Sequence, residues 1–104
     1  MIEKTKEMTE LSEKLERVTD LESFLDFVRA LVADRQDEVA KERINPSNRY
    51  GPGANGWENT TIEDFLEAAS AWAEDTKMGE TQGLPADPTW KNFAVFLYCG
   101  KIYE

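Results

Sequence analysis

Apolar residues recur at helical spacing in four segments of the chain, and stretches rich in Gly, Pro and Asn separate the later segments. In residues 3–18, a narrow seam of Met8, Leu11, Leu15 and Val18 predicts a short helix. Because a stable coiled coil needs three or more heptads, docking of this helix on the rest of the chain is the favoured interpretation. A modest dimer contact is the alternative.

A second helix is predicted to begin at Thr19, which forms the capping-box pattern with Glu22. We expect it to end near Asn45, since Pro46 disfavours helical geometry in the residue before it. A loop, residues 46–59, follows. The predicted apolar stripe of this helix consists of Leu21, Phe24, Leu25, Val28, Leu31, Val32 and Val39.

A third helix is predicted to begin at Thr60 or Thr61, each followed three residues later by a carboxylate. Its predicted buried side consists of Ile62, Phe65, Leu66, Ala69, Trp72 and Ala73. At about 100° per residue, five carboxylates share the opposite side. This acidic face consists of Glu63, Asp64, Glu67, Glu74 and Asp75.

A fourth helix is predicted to have Asp87 as its N-cap, Pro88 as its first residue and Gly100 as its C-terminal cap. It is apolar or aromatic on nearly every side, so we place it, with Trp90 and Phe93, at the centre of the core. The run 93–98 also fits a buried strand, but the Asp-Pro start favours a helix. A turn-rich loop before it is marked by Gly79, Gly83 and Pro85.

The segments together predict an all-α fold, a compact four-helix domain with two long loops that contain Gly, Pro and Asn. We place the domain at residues 19–104 and an N-terminal helical extension at residues 1–18. With 104 residues the chain has enough surface to bury for one modest core but not for two. We expect a monomer or a weak dimer.

The residue types that are missing exclude most familiar active sites. The chain has no His and one Cys, so it lacks the groups for Ser-His-Asp and Cys-His catalysis, His-bearing zinc sites and an internal disulfide. The single Cys99 is interpreted as a small buried hydrophobe. The run Gly51–Gly56 matches G-x-G-x-x-G, but it follows a helix and has no nearby Lys for a phosphate, so we interpret it as tight turns. We predict no cofactor and no metal site.

The charge balance points to the class of partner. Twelve Lys and Arg against 21 Asp and Glu give a net charge of −9. This balance argues against binding to nucleic acid or to a membrane surface, both of which attract concentrated positive charge. No apolar stretch is long enough to span a membrane and the first residues are charged, so we expect a cytoplasmic protein. A basic protein is the favoured partner.

Trp57 lies in a polar loop and has two interpretations: it plugs the helical core, or it stands out as a binding residue. Its neighbours belong to the same candidate surface because loops on rigid helices often bind partners. The partner-binding candidates are therefore Tyr50, Trp57 and Glu58 of the loop, together with the acidic face.

The segments Gly56-Trp57-Glu58-Asn59, Phe65 to Ala69 with Trp72, Pro88 to Ala94, and Gly100-Lys101-Ile102-Tyr103-Glu104 resemble a family of small bacterial proteins classed as a domain of unknown function. The resemblance extends from about Thr19 to Glu104. It implies no established activity, catalytic residue or cofactor. Small acidic bacterial proteins of this kind are often considered toxin-neutralising or accessory partners.

Two functions of different classes follow. The first is a non-catalytic protein-binding module, immunity-like, whose carboxylates engage a basic partner. The second is a small carboxylate-dependent enzyme or enzyme accessory subunit, which would place a carboxylate of raised pKa in a cleft. The binding module is the prediction, and catalysis is the alternative.

Overall fold

The computed structural model describes residues 10–104, which fold into four α-helices and one short 3-10 turn. No strand occurs in that part of the chain. The all-α prediction is therefore confirmed, and the strand alternative for residues 93–98 is wrong. The helices are α1 (Glu10–Glu16), α2 (Leu21–Ile44), α3 (Ile62–Thr76) and α4 (Trp90–Ile102), and the 3-10 turn is Glu80–Gln82.

Helix α1 docks on the domain, as the favoured interpretation of its seam requires. Leu11 and Val18 are buried in one apolar cluster with Phe27 of α2 and Ala94 of α4. The predicted start at residue 3, with Met8, falls outside the described residues. The division into an extension and a domain at residue 19 stays a prediction.

The cap of α2 lies one residue later than predicted. Asp20, not Thr19, is the N-cap: its carboxylate accepts from the backbone N–H of Ser23 at 2.9 Å, and the Asp20 N–H donates to the Ser23 hydroxyl at 3.0 Å. Glu22 therefore lies in the first turn and takes no part in the box. The helix ends at Ile44 with Asn45 as its cap, as Pro46 predicted.

The buried side of α2 also differs from the predicted stripe. Phe27, Leu31 and Glu38 are buried, whereas Leu21 and Val32 are half exposed. At about 100° per residue the true interior line lies roughly a quarter turn from the centre of the predicted stripe. The displacement arises because two polar residues, Asp34 and Glu38, continue the interior line of Phe27 and Leu31, so the exposed apolar residues make the longer apolar pattern.

Helix α3 begins as predicted, with Thr61 as N-cap and its hydroxyl accepting from the Asp64 N–H at 3.1 Å. Ala69 and Trp72 are buried, as predicted, on the side that packs on α4. Ile62 and Leu66 were predicted to be buried and are exposed. The apolar surface of α3 is thus wider than the part that the core covers.

The predicted ends of α4 are wrong. Thr89 is the N-cap, with its hydroxyl accepting from the Asn92 N–H at 3.0 Å, so Asp87 and Pro88 precede the helix. Gly100 lies inside the helix, where a Cβ would come within 2.8 Å of the Phe65 ring, so its small size serves close packing. The cap is Tyr103.

Placement of all of α4 at the core centre is correct for only one side of the helix. Ala94 and Cys99 are buried, whereas Trp90 and Phe93 are more than one-third exposed. The aromatic residues near the start of α4 lie at the edge of the domain, where Trp90 packs on Phe24 with ring centroids 5.3 Å apart. Two polar residues, Asn92 and Lys101, occupy buried positions instead.

Helix α4 joins the other helices together. It packs on α1, α2 and α3, whereas no Cα atom of α2 lies within 8 Å of one in α3 in the described part of the chain. A gap therefore runs between α2 and α3. No helix among residues 10–104 has the length and apolar character that crossing a membrane requires.

Candidate functional site

The loop of residues 46–59 is fastened to α2 by two carboxylates. Glu38 is 1% exposed and accepts from the backbone N–H groups of Asn55 at 2.8 Å and Trp57 at 3.3 Å, and from the Arg35 guanidinium at 3.0 Å. Glu42, one turn later, accepts from the Ala54 N–H at 2.8 Å. A buried carboxylate with this many donors satisfies loop N–H groups that would otherwise lose their hydrogen bonds to water.

Glu42 also holds the start of the loop. Its carboxylate accepts from the backbone N–H of Ser47 at 2.7 Å and from the Ser47 hydroxyl at 2.5 Å. These hydrogen bonds to the charged form lower the pKa of the Glu42 carboxyl below its usual value. The loop is thus tied to α2 at both of its ends.

The glycines of the loop form turns, as predicted, and one of them also allows close packing. A Cβ on Gly53 would lie 2.3 Å from the carboxyl carbon of Glu38, so only glycine allows the loop to approach that closely. Gly56 has a φ of +86°, which glycine adopts at low cost, and its N–H donates to Gly53. The G-x-G-x-x-G match therefore arises from tight turns over Glu38.

Trp57 plugs the core and is only 6% exposed, which resolves its two interpretations in favour of the interior. Its indole N–H donates to Asp34 at 2.9 Å, and the same carboxylate oxygen accepts from Lys101 at 2.8 Å. The Arg35 and Lys101 cations lie 5.7 and 5.6 Å from the ring centroid. Its side chain holds the loop between α2 and α4 and offers little surface to a partner.

The residues after Trp57 bond to the end of α4. The Glu58 N–H donates to the Lys101 carbonyl at 2.9 Å, and the Asn59 amide donates to the carbonyls of Gly100 at 3.0 Å and Tyr103 at 2.8 Å. The segments Gly56–Asn59 and Gly100–Glu104, distant in sequence, therefore form one structural unit. Partial burial and the neighbouring Glu104 carboxylate raise the pKa of Glu58.

A polar cleft of about 620 Å³ lies between this loop and α2. Glu38, Glu42 and Glu58 line it, together with Arg35, Arg43 and Arg49. Glu38 and Glu42 are engaged by the loop, and Arg49 donates to the hydroxyl of exposed Tyr50 at 3.0 Å.

Cys99 lies elsewhere, on α4. Burial raises the pKa of its thiol to about 11, in keeping with its interpretation as a small buried hydrophobe.

All five residues of the acidic face are exposed, but they do not form one uniform surface. At about 100° per residue, Glu63, Glu67 and Glu74 fall in a strip about 40° wide, and Asp64 and Asp75 lie farther around the helix. Asp75 accepts from the Tyr103 hydroxyl. The other four form no ion pair within residues 10–104. Three carboxylates thus form a free acidic strip.

An apolar groove of about 470 Å³ occupies the gap between α2 and α3. Val32 of α2 is 52% exposed, and Ile62 and Leu66 of α3 are 77% and 48% exposed. Leu31, Trp57 and Phe65 also line it, and the Trp57 and Phe65 rings stack with centroids 6.1 Å apart. Val32, Ile62 and Leu66, which the sequence wrongly assigned to the core, therefore form the walls of an open groove.

Comparison with known families gives a match to a family of unknown function, DUF7660, over residues 20–104. The chain belongs to the DUF7660 family. No curated protein and no solved structure matches the chain. The matched range begins at the N-cap of α2 and includes the loop, the acidic face and the groove, so these features all lie in the part of the chain that the family covers.

Glu38, Asp34 and Lys101 hold the loop of this DUF7660 chain, and sequence reasoning missed all three. A signal for the first two was present: Phe27, Leu31, Asp34 and Glu38 follow each other at steps of four, three and four residues, the spacing of one helix face. A carboxylate continuing an apolar line indicates a buried group with partners elsewhere. Lys101 carried no such signal.

Proposed function

We propose that this DUF7660 chain is a non-catalytic protein-binding module that engages a basic partner through the free acidic strip of Glu63, Glu67 and Glu74. The observation that supports the proposal most directly is the position of this strip beside the apolar groove. Contiguous exposed apolar surface bordered by polar residues is typical of protein interaction sites. An immunity-like role, in which the module neutralises a basic protein, is one form of this function.

The net charge of −9 favours the same class of partner. A surface with unpaired carboxylates attracts a positively charged protein at a distance and speeds the encounter, and salt weakens that attraction. Because Glu63, Glu67 and Glu74 have no internal ion pair among the described residues, a partner's Lys or Arg would not have to displace an existing cation.

The polar cleft offers one observation for the alternative of a carboxylate-dependent enzyme or accessory subunit, namely the raised pKa of Glu58. Two facts favour binding over catalysis. Glu38 and Glu42, the other carboxylates of the cleft, are occupied by hydrogen bonds that hold the loop. The raised pKa of Glu58 follows first from its partial burial and then from the neighbouring Glu104 carboxylate, both of which belong to the contact between the loop and the end of the chain.

The test compares three immobilised proteins in a pull-down from the source organism at low and moderate salt. They are the wild type, the reversal E63K/E67K/E74K, and the control reversal E13K/E16K/E80K, which changes three exposed carboxylates outside the acidic face. Both variants change the net charge by the same amount. Exposed substitutions usually alter stability by about 0.5 kcal/mol or less, so both should fold, and circular dichroism checks that they do.

We expect one partner that the wild type and the control recover, that the acidic-strip variant does not, and that is lost as salt rises. The purified partner should then bind the wild type directly, with an affinity that falls in the acidic-strip variant. Equal recovery by the two folded variants would contradict the proposal, because it would show that net charge or another surface determines binding.

A further inference from the structure

The apolar groove and the exposed stripe of α2 form one elongated surface. Leu21, Leu25 and Val32 are exposed apolar residues that share one side of α2, and Val32 is also part of the groove wall. Gln36 lines the groove farther along the same helix. From Leu21 to Gln36 this surface is about 22 Å long at 1.5 Å per residue. The exposed Trp90 packs on Phe24 near its far end.

The two walls of the groove differ in charge. On the helical wheel of α3, the strip of Glu63, Glu67 and Glu74 lies about 100° from the line of Ile62 and Leu66, on the solvent side. On the α2 wall, Arg35 and Gln36 line the groove, so that wall lacks a matching acidic strip. An occupant with apolar residues in the groove would therefore meet the negative charge of Glu63 and Glu67 on its α3 side and Arg35 on its α2 side.

We propose that the occupant of this groove is an amphipathic α-helix of the partner, about four turns long, with its apolar side in the groove and its basic residues toward α3. This inference rests on the proposed function and specifies the partner's binding segment. Charge complementarity with the acidic strip selects this occupant over a second copy of the chain, whose own charge is −9.

The groove walls explain why the segment is a helix. Both walls are helices, whose backbone groups are paired internally, so an extended strand would find no ladder of free N–H and C=O groups to join. Recognition must depend on side chains, and a helix presents apolar side chains along one side at positions i, i+3, i+4 and i+7. The groove volume of about 470 Å³ is within the usual range for binding pockets.

The test uses four synthetic peptides of about 15 residues, the length that spans the surface. The first is a Leu/Lys peptide with one apolar side. In the second Gln replaces Lys, in the third Glu replaces Lys, and in the fourth the Leu and Lys of the first are rearranged so that no apolar side forms. Backbone NMR shifts of the labelled full chain locate each peptide and give its affinity.

The groove variant I62S/L66S removes two exposed apolar side chains, so it should fold, and I44S/I102S is its matched control outside the groove. We expect the Leu/Lys peptide to shift groove residues of α2 and α3 and to bind the groove variant roughly tenfold more weakly than the wild type or the control variant. The Glu peptide and the rearranged peptide should bind the wild type at least as weakly as the Leu/Lys peptide binds the groove variant.

Three results would contradict the proposed helix in the groove, each in a different way. The Leu/Lys peptide could shift only the residues of the acidic strip and bind the I62S/L66S variant as tightly as the wild type. That result would contradict binding in the groove but would agree with the basic partner of the proposed function. Equal affinity of the Gln and Lys peptides for the wild type would show that basic residues of the occupant do not contribute to binding. It would contradict both this inference and the proposed function. Sedimentation could show that the wild type self-associates and that the I62S/L66S variant does not. A second copy of the chain would then be the occupant, and this result would also contradict the proposal.

Discussion

The indole nitrogen of Trp57 lies 2.9 Å from the carboxylate of Asp34, and this hydrogen bond joins the loop to the middle of α2. Trp57→Phe keeps a six-membered aromatic ring and removes the N–H donor together with the rest of the buried indole. Hydrogen bonds to charged groups contribute about 1.5–3 kcal/mol, and the smaller ring also leaves a cavity, so we expect a loss of at least that size in the free energy of unfolding, measured in urea. Trp90→Phe is the control at an exposed tryptophan and should cost clearly less. Equal losses would contradict the assigned role of the Asp34 bond.

Glu38 is the carboxylate on which the loop depends. Glu38→Ala leaves the N–H groups of Asn55 and Trp57 and the Arg35 guanidinium without their acceptor. Breaking a buried pair typically costs about 3–5 kcal/mol, and we expect a loss of stability of that size. Gln36→Ala, at an exposed position of the same helix, should change the unfolding free energy by about 0.5 kcal/mol or less. A folded Glu38→Ala protein with unchanged stability would refute this account.

Gly53 is required by the closeness of the loop to Glu38. Gly53→Ala places a methyl group 2.3 Å from a buried carboxyl carbon, so either the loop or Glu38 must move. Overpacking of this kind costs about 1–3 kcal/mol. Gly51→Ala is the matched control, because the nearest atom to its Cβ would be 3.9 Å away. Thermal unfolding should separate the two variants, and equal melting temperatures would show that the loop yields at no cost.

Features that depend on neighbours in sequence were predicted well. The end of α2 before Pro46 and the Thr61 cap of α3 both follow from local backbone chemistry, and both are confirmed. The Asp20 cap was missed by one residue because Thr19 and Asp20 each have a polar residue three positions later. Local patterns thus placed the starts of α2, α3 and α4, and the ends of α2 and α4, within a few residues of their observed positions.

The interior of the domain depends on contacts that local patterns do not record. Glu38 is buried because a loop 17 residues away supplies its donors. The periodicity of α2 indicates its burial but does not identify that loop as its partner. Ile62 and Leu66 matched a core pattern but face a gap, because α2 and α3 pack on α4 rather than on each other. The acidic face could be predicted from the pattern of charges in the sequence. The groove beside it could not, because it depends on how α2, α3 and α4 pack together.

The correction to the core has a measurable consequence for two phenylalanines. Phe27 is fully buried, so Phe27→Ala should cost about 3–5 kcal/mol of stability. Phe93, which the apolar pattern of α4 placed at the core centre, is more than one-third exposed, so Phe93→Ala should cost about 1–2 kcal/mol. Urea unfolding of both variants gives the comparison. A larger loss for Phe93→Ala would restore the central position of that side of α4.

Glu58 should make the stability of the protein depend on pH in a known direction. Partial burial and the Glu104 carboxylate raise the pKa of its carboxyl above the usual 4.5, so the folded state holds this proton more tightly than the unfolded state. The resulting stabilisation is present at low pH and is lost as the pH rises through the folded-state pKa. Glu58→Gln cannot ionise, and we therefore expect it to be more stable than the wild type at pH 7, with a difference in unfolding free energy that shrinks toward pH 4.

The control for Glu58 is Glu63→Gln, which removes the same charge from an exposed position of α3. Urea unfolding of both variants across this pH range gives the comparison. If Glu58→Gln and Glu63→Gln change the pH dependence of stability equally, folding does not raise the pKa of Glu58 through its burial and its contact with Glu104.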